Sequence, residues 1–144
     1  MLRLSKLADY AIVILAAMAQ DEKKQVTAIH MADVTTLPAP TVAKILKKLA
    51  KNGLLTATRG AAGGYKLSKP AQAITAGAII EAIDGPIRII GCISGAKCGR
   101  ENSCVIHGRW DPINNAVREA FTSVSLIDLL GSHYPHAVSA CATG

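Results

Sequence analysis

One segment restricts the possible folds of this chain more than any other. From Pro38 to Gly53 the residues read as a single amphipathic helix with both ends marked. Pro38 and Pro40 bound its start, because proline, lacking an N–H, is accepted by a helix only in the first turn. Asn52-Gly53 after Lys51 marks its stop, since glycine readily takes the left-handed conformation that closes many helix C-termini. Val42, Ile45, Leu46 and Leu49 form the apolar face. Thr41, Lys44, Lys48 and Lys51 form an opposite stripe at i, i+3, i+7 and i+10, with Lys47 beside it. A helix divided in this way needs a packed core against one face and either water or a polyanion against the other.

The flanking residues supply that core. Leu7, Ala11, Ile14, Leu15 and Met18 fall on one face of a first helix that Ser5 can cap. Thr27 can cap a short second helix, Ala28 to Asp33, with Val26 and Met31 placed to staple its entry. After Gly53 come two short strands, Leu54–Arg59 and Tyr65–Ser68, around Gly60-Ala61-Ala62-Gly63-Gly64. Three helices followed by a basic hairpin predict a mainly α fold with a small β-hairpin wing, a winged helix-turn-helix over residues 1–70.

Charge follows the same division. Of the formal net charge of +6, residues 1–69 carry eleven Lys/Arg against four acids, and residues 70–144 carry five against six. No acidic residue occurs between Asp33 and Glu81. A basic block without neutralising acids on a folded domain is the electrostatic footprint of a nucleic-acid partner. Double-stranded DNA is the expected one, with Thr41 and Lys44 near base edges, Lys47, Lys48 and Lys51 near phosphates, and Arg59 in the adjacent minor groove.

Residues 71–130 read as a second functional region. Thr75 caps a helix that Asp84-Gly85-Pro86 ends, and a glycine- and cysteine-bearing loop runs from about Gly91 to Gly108. Asp111-Pro112 then opens a long helix, with Ile113, Ala116, Val117, Ala120, Phe121 and Val124 as a continuous apolar seam. Such a seam predicts a C-terminal dimerisation helix. A short Leu126–Leu130 segment follows, and 131–144 read as a frayed tail. No membrane association is expected, because the longest apolar run, Tyr10 to Ala19, is about half the length a bilayer requires. The N-terminus imitates a secretory signal, but Asp9 interrupts it and the spacing is helical, so the expected location is cytoplasmic with reduced cysteines.

Cys92, Cys98 and Cys104 are spaced C-x5-C-x5-C, and His107 follows as C-x2-H. Structural zinc favours tighter knuckles. Widely spaced thiolates suit an iron–sulfur cluster better, where sulfurs bind different irons. Zinc and a thiol switch remain alternatives on spacing alone.

The chain resembles the IscR/NsrR-type iron–sulfur transcription regulators, closest to the SUF-system regulators of cluster assembly. The resemblance is carried by Leu4-Ser5-Lys6 with Asp9-Tyr10-Ala11, by Lys51-Asn52-Gly53, by the wing Arg59 to Tyr65, by the Ile79–Gly85 helix end and by the three cysteines. It implies a homodimer reading an inverted-repeat operator and three cysteine ligands, Cys92, Cys98 and Cys104. In cluster-assembly members a histidine three residues after the third cysteine completes a 2Fe–2S site, and His107 matches it. In nitric-oxide sensors a 4Fe–4S cluster takes an N-terminal carboxylate from the partner subunit, which Asp9 matches. The 2Fe–2S assignment through His107 is favoured, since a loop neighbour needs no second chain in register.

The expected function is therefore a DNA-binding transcriptional regulator, a repressor, that senses cluster status, redox or nitric oxide and controls cluster-assembly genes. The alternative is a winged-helix regulator with structural zinc or a thiol switch. Nothing points to an enzyme: there are no suitably paired carboxylates, no nucleophile with an evident base, and the glycines at 60–64 lack P-loop spacing.

Overall fold

The computed structural model describes residues 3–91, 99 and 103–131. Helix α1 spans Lys6–Met18, α2 Ala28–Thr35 and α3 Ala39–Lys51. Strands β1, Leu55–Thr58, and β2, Gly64–Leu67, pair antiparallel, with Leu55 opposite Leu67 and Thr58 opposite Gly64. Helices α4, Ala76–Asp84, α5, Asp111–Thr122, and α6, Leu126–Leu130, complete the described chain. The result is a mostly helical winged helix-turn-helix with a two-stranded wing.

The expected caps form. Ser5 Oγ accepts from Ala8 N at 3.0 Å, Thr27 Oγ1 from His30 N at 3.2 Å, and Thr75 Oγ1 from Ala78 N at 3.1 Å. Each satisfies a donor that the first helical turn leaves without an internal partner. Ser125 and Asp128 make a reciprocal capping pair on α6, and Ser125's hydroxyl and backbone N–H hold the Asp128 carboxyl below its ordinary value.

The tight connection between α2 and α3 passes through Thr36, the one non-glycine residue with positive φ among those described, at 57°. A β-branched side chain is uncomfortable in this left-handed conformation. The bend lets α3 follow α2 after only a few residues and pack against it.

One buried cluster joins every layer. Ile14 and Leu15 of α1, Met31 of α2, Val42, Ile45, Leu46 and Leu49 of α3, Ile74, Ile79 of α4 and Leu126 of α6 all belong to it. Each large aliphatic side chain removed from water contributes about 1.5–3 kcal/mol. This core runs across the boundary expected at residue 70, so α4 and α6 are part of the same packed body as the helix-turn-helix.

The wing is anchored by a pairing that local sequence did not announce. Val26 N donates to Tyr65 O at 2.8 Å, and Tyr65 N donates to Val26 O at 2.7 Å. The residue before the α2 cap thus acts as a one-residue third strand. Gly64 is required there, because a Cβ at that position would sit 2.5 Å from Val26 O. Gln25 Nε2 reaches the wing tip, donating to Ala62 O at 2.7 Å.

Helix α5 packs on α4 through its polar side. Gly77 lets Thr122 approach closely, Arg118 pairs with Glu81 at 3.3 Å, and the buried Asn114 accepts from Ile89 N at 3.1 Å.

Candidate nucleic-acid interface and cysteine turn

Burial sets the phase of α3. With Val42, Ile45, Leu46 and Leu49 fully enclosed, the outermost row is Pro40, Lys44, Lys47 and Lys51, at i, i+4, i+7 and i+11, and all four are exposed. Thr41 is half-buried on one flank. Lys48 shares that flank rather than the outer row. Its Nζ donates to Ile83 O at the end of α4 at 2.7 Å, within a half-buried setting. Of the three lysines expected near phosphates, Lys47 and Lys51 therefore face outward, while Lys48 is engaged within the fold.

Arg59 is exposed at the start of the wing turn, which Gly63 N closes by donating to Gly60 O at 2.9 Å. Lys66 and Lys69 are exposed on and after β2. Helix α3 and the wing thus present cations without a neighbouring acid in the 34–80 segment. Such a surface attracts a polyanion by general field and by individual contacts.

In the cysteine region, Cys104 is a half-buried free thiol and His107 is exposed. The two sit on one turn, where His107 N donates to Cys104 O at 3.2 Å. Cys92 and Cys98 lie outside the described residues. Asp9 is exposed in the first turn of α1, beside an open depression that Arg3, Ser5, Lys6 and Asp84 also line.

Residues 4–132 match the model of the Rrf2 family, whose description is an iron-dependent transcriptional regulator. The chain belongs to the Rrf2 family. It is 32% identical over 89 residues to the HTH-type transcriptional regulator IscR of Yersinia pseudotuberculosis, an alignment covering 62% of this chain. That match spans only 54%, about half, of the IscR relative's length. Among solved structures, it is similar to CymR, the global cysteine regulator of B. subtilis, with TM-score 0.67, 28% identity, and coverage of 90% of this chain and 96% of that one. It is also similar to T. potens IscR, with TM-score 0.64, 25% identity and coverage of 90% and 86%. The protein is therefore a DNA-binding, winged-helix transcriptional regulator of the Rrf2 type and not an enzyme. No helix among the described residues is long and apolar enough to cross a membrane.

In this Rrf2 fold the end of α4 is a junction that sequence reasoning missed. Besides Lys48, Asn52 Nδ2 donates to Ala82 O at 3.2 Å, and Ser5 Oγ donates to Asp84 Oδ1 at 2.7 Å. The C-terminal carbonyls of α4, which have no partners within the helix, are thus capped by the recognition helix. No local pattern could disclose it, because Lys48 and Ile83 are 35 positions apart. The only hint was the acid-free neighbourhood, which leaves a lysine free to seek a carbonyl.

Proposed function

We propose that this Rrf2-family protein is a repressor that binds an inverted-repeat operator as a homodimer and senses iron–sulfur status through Cys92, Cys98, Cys104 and His107. The observation that carries this reading is one chain holding an exposed cationic α3 and wing together with a Cys104–His107 turn. Helix α3 enters the major groove, Thr41 and Lys44 approach base edges, Lys47 and Lys51 contact phosphates, and Arg59 reaches the neighbouring minor groove. The exposed seam of α5, with Ile113 half-exposed, supplies the dimer contact.

The donor chemistry fits the cofactor. Cys104 is a free thiol, and His107 is one turn away on the same backbone. Together with the thiols of Cys92 and Cys98 they make three soft ligands and an imidazole, the set for a 2Fe–2S cluster. When bound, such a cluster supplies a centre sensitive to oxidation and nitric oxide. Asp9 from a partner subunit is the alternative fourth ligand, for a 4Fe–4S cluster. The three cysteines would hold such a cluster in the segment that follows Pro86, which comes after the α4 end that Lys48 and Asn52 hold. A change in that segment thereby reaches α3. The genes controlled are those of cluster assembly.

The test is anaerobic purification with UV–visible and EPR spectra, iron and sulfide analysis, and operator binding. Cys92→Ala, Cys98→Ala or Cys104→Ala is expected to abolish visible absorbance and to alter DNA binding. Equal operator affinity of cluster-loaded and cluster-free protein overturns the sensing claim. The similarity to a global cysteine regulator favours a second reading, with the same cysteines acting as a thiol switch or a zinc site. A colourless protein after anaerobic purification whose DNA binding responds to thiol oxidation supports that one instead.

A further inference from the structure

We propose that the outward face of α3 recognises thymine C5-methyl groups through Ala39 and Pro40, so that part of the operator selectivity rests on apolar contact. This rests on the groove placement of α3 proposed above. In helix-turn-helix docking the leading residues of the recognition helix meet base edges, while other contacts hold the backbone. Here the outward row begins with Pro40 and continues with Lys44, Lys47 and Lys51, all exposed. Ala39, exposed beside Pro40, extends the apolar leading edge.

Neither side chain can donate or accept a hydrogen bond. Pro40 also lacks a backbone N–H, and Val42 N is already taken by Pro38 O at 3.0 Å. The leading turn is therefore one backbone donor short of an ordinary helix start. The polar side chains within the first two turns are the Thr41 hydroxyl and the Lys44 ammonium. Lys44 is the one candidate there for a bidentate contact with guanine, and the Asn or Gln that would pair with adenine is absent. An apolar group in the major groove has one apolar partner on the base edges, the thymine methyl. Set against guanine or cytosine, the same ring would strip water from polar base atoms without replacing their hydrogen bonds.

The experiment begins with an operator selected from random duplex DNA by the full-length protein. Each thymine is then replaced singly by deoxyuridine, which deletes the methyl and keeps base pairing. One or two positions per half-site are expected to lose about fourfold in affinity, the worth of one buried methyl-sized group. Pro40→Ser or Ala39→Ser is expected to bind the thymine and uracil versions alike at those positions. Far-UV circular dichroism and thermal unfolding confirm that each variant is folded, serine being well tolerated at a helix start. Tolerance of deoxyuridine at every position overturns the proposal. So does a penalty that persists in both variants, which assigns methyl reading to other residues. Lys44→Ala separates the underlying placement: unchanged operator affinity in that variant puts α3 outside the groove, and the methyl proposal falls with it. Loss in Lys44→Ala with uniform deoxyuridine tolerance leaves the groove placement standing and removes only the methyl reading.

Discussion

Helices α3 and α5 are built from the same ingredients and turned opposite ways. They span 13 and 12 residues, and each has one apolar and one polar side. In α3 the apolar side, Val42, Ile45, Leu46 and Leu49, is fully buried and the lysines face out. In α5 the contacts made with α4 and the segment after it are polar: Asn114 is buried, while the exposed Arg118 pairs with Glu81 and the exposed Thr122 lies against Gly77. Its apolar seam faces outward, with Ile113 50% exposed, Ala116 and Ala120 exposed, and Val117, Phe121 and Val124 half-buried. A cationic outer face is at ease in water and waits for a polyanion. An apolar outer face costs about 25 cal/mol for each Å² left in water, which favours covering it with another apolar surface. The same amphipathic pattern therefore finishes the fold in one helix and leaves it to be finished in the other.

The largest expected effect strikes the α5 side. Val117→Asp is predicted to weaken self-association at least about 100-fold, because a carboxylate in the centre of an apolar contact loses its hydration without gaining a partner. Sedimentation equilibrium reads the change, and an unchanged dimer with native circular dichroism would remove α5 from the interface. On the α3 side, Lys44→Ala is predicted to lower operator affinity by about tenfold, the loss of one charged base-edge contact. Fluorescence anisotropy with operator DNA checks it.

A finer pair of substitutions tests which lysines of α3 belong to the outer face. Lys47→Ala is expected to reduce the slope of log affinity against log salt by about 0.9, the signature of one lost phosphate contact. Lys48→Met should leave that slope unchanged and instead lower folding stability by about 1–2 kcal/mol, since its bond to Ile83 O at 2.7 Å is lost. A slope change in Lys48→Met would return that residue to the DNA-facing set. The smallest effect is expected at Thr36, where φ is 57°. Thr36→Gly should raise stability by about 0.5–1 kcal/mol, relief of left-handed strain exceeding the added freedom of the unfolded chain. A denaturant midpoint that falls would refute the strain.

Much of the architecture was legible in advance because it depends on residues a few positions apart. The Ser5, Thr27 and Thr75 caps act three residues away, and the Pro38–Pro40 start and Asn52-Gly53 stop delimited α3 as found. The first wing strand came out shorter than read, Leu55–Thr58, with Arg59 left in the turn, and the second is shifted by one residue to Gly64–Leu67. Of the proposed cluster ligands, Cys104 and His107 could be set on one turn, while Cys92 and Cys98 lie outside the described residues.

What the sequence determined by itself was the helices, their starts and their two-sidedness, because caps and helical periodicity are local interactions, while α2 runs two residues past the expected Asp33, to Thr35. Only the tertiary structure decided which lysines face outward, that Val26 joins the wing, and that the apolar seam of α5 is only partly covered by the described residues. Those outcomes hang on partners far along the chain, such as Ile83 for Lys48 and Tyr65 for Val26. A periodic pattern states that a helix has two faces; which of them turns inward is settled by the packing of the other elements around it.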